Sequence, residues 1–215
     1  MLKIKGGLES FHTVFERLPK KITGPNLAMN IHNELLNKVS QWVLEYFQNN
    51  YCADCIFHDY NHTKETVEAG KEIATAMQVS ADELETVLIS CWFHDLGLFH
   101  SRENHEIKSA EMAEEFLKKH AVNKEKIKAV KACILATKNP QKPVTLLEKI
   151  ICDADMSHLE KGNYFKKNAL LRQEFELSRR KSYSEVEWWT LNKDFFQEHN
   201  YFTTYALKQY NVQKM

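Results

Sequence analysis

Apolar side chains recur every third or fourth residue through most of this chain, and that spacing commits it to helices. In residues 26–47 the stripe is Leu27, Ile31, Leu35, Val39, Trp42 and Tyr46. Val67, Gly70, Ala74 and Met77 form a second stripe. Leu84, Val87, Leu88, Cys91 and Trp92 form a third, with Asp82 near its start as the expected cap. Residues 107–120 carry Ala110, Ala113 and Leu117 on one face. Ile127, Val130 and Ile134 mark a fifth helix, and Leu147, Ile150, Ile151, Ala154 and His158 a sixth. Breaks fall at Leu18-Pro19, Thr23-Gly24-Pro25, Asn49-Asn50 and from Asn139-Pro140 to Pro143. Only 6 glycines and 4 prolines punctuate 215 residues, too few for the tight turns of an all-β fold. The expectation is an all-α helical bundle forming one domain over residues 1–215, with further helices in the aromatic tail from Phe165 to Tyr210.

The formal net charge is zero, from 29 basic and 29 acidic side chains, so no global field draws the protein to nucleic acid or to a membrane. No apolar run approaches the roughly 18 residues that span a bilayer, and the first residues lack the apolar core of a secretion signal. Five scattered cysteines do not read as a disulfide framework, which points to a reducing cytoplasm. Cys52-Ala53-Asp54-Cys55 has the spacing of half a zinc knuckle, but no second cysteine pair completes it. Two plain thiols at a helix end are expected there.

Polar residues that interrupt the buried stripes carry the functional signal. Asp95 follows Cys91 by four residues and so continues the core face of its helix. An ionised carboxylate there is costly unless it is paired or binds a cation. His94 precedes it directly, and Gly97 fits a helix that ends just after the pair. At 100° per residue Asp155 lies at the edge of the sixth stripe while Asp153 points away, which makes Asp155 the inward carboxylate and Asp153 a supporting or capping one. In Phe57-His58-Asp59-Tyr60-Asn61-His62, Asn61 is the expected N-cap and His62 falls in the first turn. Imidazoles and carboxylates together suit a divalent ion such as Mn, Mg, Zn, Ni or Fe.

The order His62, then His94-Asp95 closing an apolar helix, then Asp155, resembles the HD superfamily of metal-dependent phosphohydrolases. The stretch from His58 to His62 is similar to that of cyclic nucleotide phosphodiesterases. Ile134-Leu135-Ala136-Thr137-Lys138 and Cys152-Asp153-Ala154-Asp155 resemble a bacterial subgroup of predicted HD phosphohydrolases. The likeness covers roughly residues 58–158. It implies a phosphodiesterase-like helical fold with His62, His94, Asp95 and Asp155 as metal ligands and His58 as proton donor to the leaving oxygen. It also implies His105 as an extra ligand in two-metal members, although those carry a further His where this chain has Ala136-Thr137-Lys138. Lys138 could instead meet substrate phosphate as a point charge.

The expected activity is therefore hydrolysis of a small phosphoester, a nucleotide or cyclic nucleotide first among candidates, with Asp95 orienting or deprotonating the attacking water. Two alternatives belong to other classes. One is a catalytically silent HD module that senses a nucleotide or holds a partner. The other is a di-iron oxygenase, which wants more histidines than the sequence places. Trp188-Trp189, Phe195, Phe196, Tyr201, Phe202 and Tyr205 read as packing for the C-terminal helices. Substrate identity and oligomeric state are not encoded in any residue singled out above.

Overall fold

The computed structural model describes residues 26–210, except 161 and 163, and for residues 26–33 and 160 it describes the backbone alone. It is built from nine helices among these residues: α1 (Asn26–Asn49), α2 (Tyr60–Ala76), α3 (Ala81–Phe93), α4 (His105–Lys119), α5 (Lys124–Ala136), α6 (Leu146–Asp155), α7 (Tyr164–Arg179), α8 (Glu185–Glu198) and α9 (Thr204–Gln209). Short 3-10 turns follow α3 at Leu96–Phe99 and α6 at Met156–Glu160. No strand occurs among the described residues, so the all-α expectation stands. None of their helices is long and apolar enough to cross a membrane. The expected breaks at Pro19 and Gly24-Pro25 lie outside the described residues, as do the side chains of Leu27 and Ile31.

Helix α3 is the axis of the structure. Every residue from Glu85 to Phe93 is buried, because α1, α2, α4, α5 and α6 all pack against it. One side of α3 sends Ile89 and Phe93 into a core with Val39, Val43, Leu117 and Ile134. The other side sends Val87 and Cys91 into a second core with Ile73, Ile150, Ile151 and Ala154. A helix buried all round loses the one-sided stripe of a surface helix, which is why the sequence pattern there is nearly continuous. Buried polar groups along α3 are answered locally: Lys126 of α5 forms an ion pair with Glu85 and another with Asp82 at 2.7 Å.

The caps differ from three sequence expectations. Ser80, not Asp82, starts α3, in a reciprocal capping box with Glu83. Asp82 follows in the first turn, where its charge suits the helix dipole. Asp59, not Asn61, caps α2, its Oδ1 accepting from the N–H of His62 at 2.8 Å. Asn61 sits inside the helix and donates to the same carboxylate from its side chain (2.9 Å). Gly97 is no left-handed C-cap; α3 ends earlier, at Phe93, and no glycine has a positive φ among the described residues.

Gly97 is needed for closeness instead. Its N–H donates to Ser109 Oγ at 2.8 Å, and a Cβ on it would overlap the carbonyl of His105 and stand 2.9 Å from the Ser109 nitrogen. This contact seats the start of α4, and hence His105, against the turn that follows His94-Asp95. Gly97→Ala is expected to lower stability by about 1–3 kcal/mol, because backbone rather than a flexible side chain must move. Thermal unfolding followed by circular dichroism checks this, and an unchanged midpoint would contradict it.

Candidate metal centre

Three helices deliver four side chains to one point. His62 comes from the first turn of α2, His94 and Asp95 from the end of α3, and Asp155 from the last residue of α6. His62 Nε2 lies 3.4 Å from Asp95 Oδ2 and 3.2 Å from Asp155 Oδ1. His94 Nε2 lies 3.0 Å from Asp95 Oδ2 and 3.5 Å from Asp155 Oδ1. One ligand atom from each of the four falls within 4.8 Å of every other. The two imidazoles are only 1% exposed, and the carboxylates 8% and 13%.

This arrangement fits a divalent ion on the chemistry of its own atoms. His94 Nδ1 donates to the carbonyl of Cys91 at 2.9 Å, which fixes the tautomer and turns the Nε2 lone pair inward. His62 Nε2, His94 Nε2 and Asp95 Oδ2 are all buried with no hydrogen bond to satisfy them. Such orphaned buried atoms are rare unless something bridges them. Burial alone would push both imidazoles down, but the two carboxylates reverse this, holding His62 above and His94 well above the usual imidazole value. Burial would likewise raise Asp95, yet the charges of His94 and His58 and the close approach of His105 and His62 hold it well below the usual range. Asp155 is also lowered against burial, by the close approach and charge of His62 and His94. Two negative and two protonatable groups thus share charge, and a cation would replace the imidazole protons.

The surroundings reveal what the other expected residues do. His105 opens α4, with Nε2 3.5 Å from Asp95 Oδ1 and Nδ1 donating to the carbonyl of Arg102 (3.1 Å). Asp95 therefore turns one oxygen to the four-residue cluster and the other to His105. Lys138 is exposed and donates to Asn104 Oδ1 at 2.7 Å, beside His105 but not in the cluster. Thr137 is buried, with its hydroxyl donating to the carbonyl of Ile134, so α5 offers no imidazole at that position. Asp153 points away from the cluster and accepts the backbone N–H groups of Phe202 and Thr203, both at 2.8 Å, at the start of α9.

His58 lies at the rim, its ring centroid 5.4 Å from that of His62. Its Nδ1 donates to Glu174 Oε1, and Glu174 Oε2 accepts the backbone N–H groups of Phe57 (2.9 Å) and His58 (3.0 Å). Arg102 Nη1 completes the shell of Glu174 at 2.8 Å. Sequence reasoning missed Glu174, which lies on α7, 116 residues after His58. It also missed the role of His158, buried against Phe57 and His62, whose Nδ1 donates to the carbonyl of Asp155 at 2.9 Å. Burial and the neighbouring His62 charge push His158 down to about 3, so it stays neutral. A further correction concerns Cys52 and Cys55, which are joined as a disulfide rather than standing as separate thiols. The aromatic tail does pack the C-terminal helices: Trp188 is buried, donating to Asn168 Oδ1 (2.7 Å), with its ring against Phe175 and Tyr183.

Residues 59–159 match the family model of the HD domain. No curated protein matches the chain. Among solved structures, the chain is similar in fold to the crystal structure of a predicted HD superfamily hydrolase from an uncultured Thermotogales bacterium. The identity is 20%, the TM-score 0.53, and the match covers 75% of this chain and 89% of that one. The family-model match, residues 59–159, contains all four residues of the cluster.

Glu174 gives this region a pH signature. Burial raises its carboxyl, but the hydrogen bonds and charge of His58, with help from Arg102, bring it down to about 2. A depressed folded value means stability that is complete above the unfolded value near 4.3 and lost as pH falls towards about 2. Glu174→Gln should therefore be less stable than the wild type at pH 7, by at most about 3 kcal/mol, with the gap closing on acidification. Urea midpoints of both proteins between pH 7 and 3 test it. A gap that stays constant over that range would show that the charge of Glu174 is not what stabilises the region.

Proposed function

We propose, from the match of residues 59–159 to the HD domain, that the chain hydrolyses a small phosphoester, a nucleotide first among candidates, in a metal-dependent reaction. The observation that carries this reading is the buried convergence of His62 Nε2, His94 Nε2, Asp95 Oδ2 and Asp155 Oδ1 with no hydrogen bonds satisfying the first three. These four residues are the proposed ligands. A divalent cation held by them would lower the pKa of water and polarise a phosphoryl oxygen.

The chain's own residues would do the rest. Asp95 uses its second oxygen, on the His105 side, to orient the attacking water. His105 is placed for a second cation at that oxygen (Nε2 to Oδ1, 3.5 Å). Glu174 holds Nδ1 of His58, which leaves Nε2 as the ring nitrogen that would carry a proton to the leaving oxygen. Lys138, pinned beside His105 through Asn104, supplies a positive charge for substrate phosphate. Glu174 reaches His58 from outside the HD segment, which supports reading the C-terminal helices and the HD core as one functional domain.

Three measurements bear on this reading. Mn²⁺ should stabilise the wild type, by about 2.7 kcal/mol at a hundredfold excess over Kd. Asp95→Ala should fold and show no such gain. With a nucleotide panel and Mn, Mg, Zn, Ni or Fe(II), the wild type should release phosphate or nucleoside and Asp95→Ala should not. His58→Gln should keep the Mn²⁺ stabilisation but lose roughly 10²–10⁴-fold in kcat. Full turnover by a clean Asp95→Ala preparation would sink the mechanism. Bound metal without turnover of any nucleotide would favour a sensing module.

A further inference from the structure

The segment that joins α1 to α2 carries both His58 and a second cysteine-based feature that the proposed reaction does not use. Cys52 and Cys55 close a disulfide ring of four residues, with Cys55 N–H reaching the carbonyl of Cys52 (3.4 Å) and Ile56 N–H that of Asp54 (3.1 Å). Both cysteines are half-buried, while Tyr51 and Ala53 beside them are exposed, so a reagent can approach. The chain's other cysteines, Cys91, Cys133 and Cys152, are buried and free.

The disulfide is wired to His58 through one arginine. Arg102 Nε lies 3.4 Å from Asp54 Oδ2, inside the four-residue ring, and its Nη2 donates to the carbonyl of Asp54 at 3.2 Å. Its Nη1 donates to Glu174 Oε1 at 2.8 Å. Glu174 in turn holds the backbone N–H groups of Phe57 and His58 and the His58 ring. The carbonyl of Arg102 accepts from His105 Nδ1. Residues 52–55 belong to none of the hydrophobic clusters of the described residues, so the disulfide, the two turn hydrogen bonds and Arg102 together set the ring's shape and the position of Asp54.

We propose that Cys52–Cys55 is a redox-modification site, opened by a dithiol reductant, and that opening it loosens the Asp54–Arg102–Glu174 clamp on His58. The exchange balances without further reagents. A thiolate of the reductant attacks one cysteine sulfur, the Cys52–Cys55 bond breaks, and a mixed disulfide forms. The reductant's second thiolate then attacks that mixed bond. Two protein thiols and the oxidised reductant result, with two electrons and two protons transferred. A metal at Cys52, Asp54 and Cys55 is the less favoured reading. Three donors fall short of a closed four-ligand set, and the Arg102 cation already lies against Asp54. Any effect on turnover rests on His58 being the proton donor, whereas the clamp does not.

The test therefore reads the clamp directly. Full-length protein, oxidised or treated with dithiothreitol, is alkylated under native conditions and followed by amide hydrogen exchange in segment 52–59. Reduction should expose two new alkylation sites, at Cys52 and Cys55, and speed exchange at Phe57 and His58 on the order of tenfold, the expected effect of releasing a short covalent ring. Exchange in α3 and α6 should not move. Cys52→Ser/Cys55→Ser should exchange at the fast rate with or without reductant. Failure to find the disulfide by mass in the oxidised protein, or equal exchange in both states, would overturn the proposal. Exchange that responds while metal-dependent turnover does not would uphold the clamp and count against the role given to His58.

Discussion

Two carboxylates and two imidazoles packed into one buried space form an arrangement that must share positive charge to persist. Like-charged Asp95 and Asp155 would repel, and desolvated imidazoles would shed their protons, if either pair stood alone. Set together they stabilise each other's charged forms, at the expense of leaving His62 Nε2, His94 Nε2 and Asp95 Oδ2 without hydrogen bonds. Much of the architecture follows from holding those atoms in place. The start of α2, the end of α3 and the end of α6 must meet at one point, so the two cores on either side of α3 fix the four-residue cluster as much as they stabilise the fold.

Close packing around α3 makes this convergence tight. Gly70 of α2 faces Cys91 of α3, where a Cβ would stand 2.9 Å from the sulfur. Gly97 allows α4 to press His105 toward Asp95. The outer layer then works through hydrogen bonds: Cys91 and Asp155 carbonyls orient His94 and His158, and Glu174 orients His58. The protein thus supports its inner polar atoms with partners from backbone and from α7.

Asp95 and Asp155 were legible because each continues or edges an apolar stripe, whereas His94 was marked by standing beside Asp95 and His62 by its place in the order that resembles the HD superfamily. Helical angle alone separated Asp155 from Asp153, and the structure sends Asp155 to the cluster and Asp153 to the start of α9. What escaped was mostly non-local. Glu174 sits in a weakly patterned tail, and nothing in its neighbourhood signals a partner 116 residues away. Arg102 lies in a loop whose role depends on two other segments. Cap positions shifted by two residues because Ser80, Asp82, Asp59 and Asn61 are all good caps, and backbone geometry decides among them. The cysteine pairing was missed because spacing of three within one short loop is equally compatible with free thiols, and only the turn at Cys52–Cys55 brings the sulfurs together.

The central claim is that the four-residue cluster is a divalent metal centre, and the most direct measurement is an anomalous difference map at the zinc edge from crystals grown with Zn²⁺. The account predicts a strong peak about 2.1 Å from His62 Nε2, His94 Nε2, and an oxygen each of Asp95 and Asp155. No peak there, with His62 and His94 instead hydrogen-bonded to the carboxylates, would contradict it.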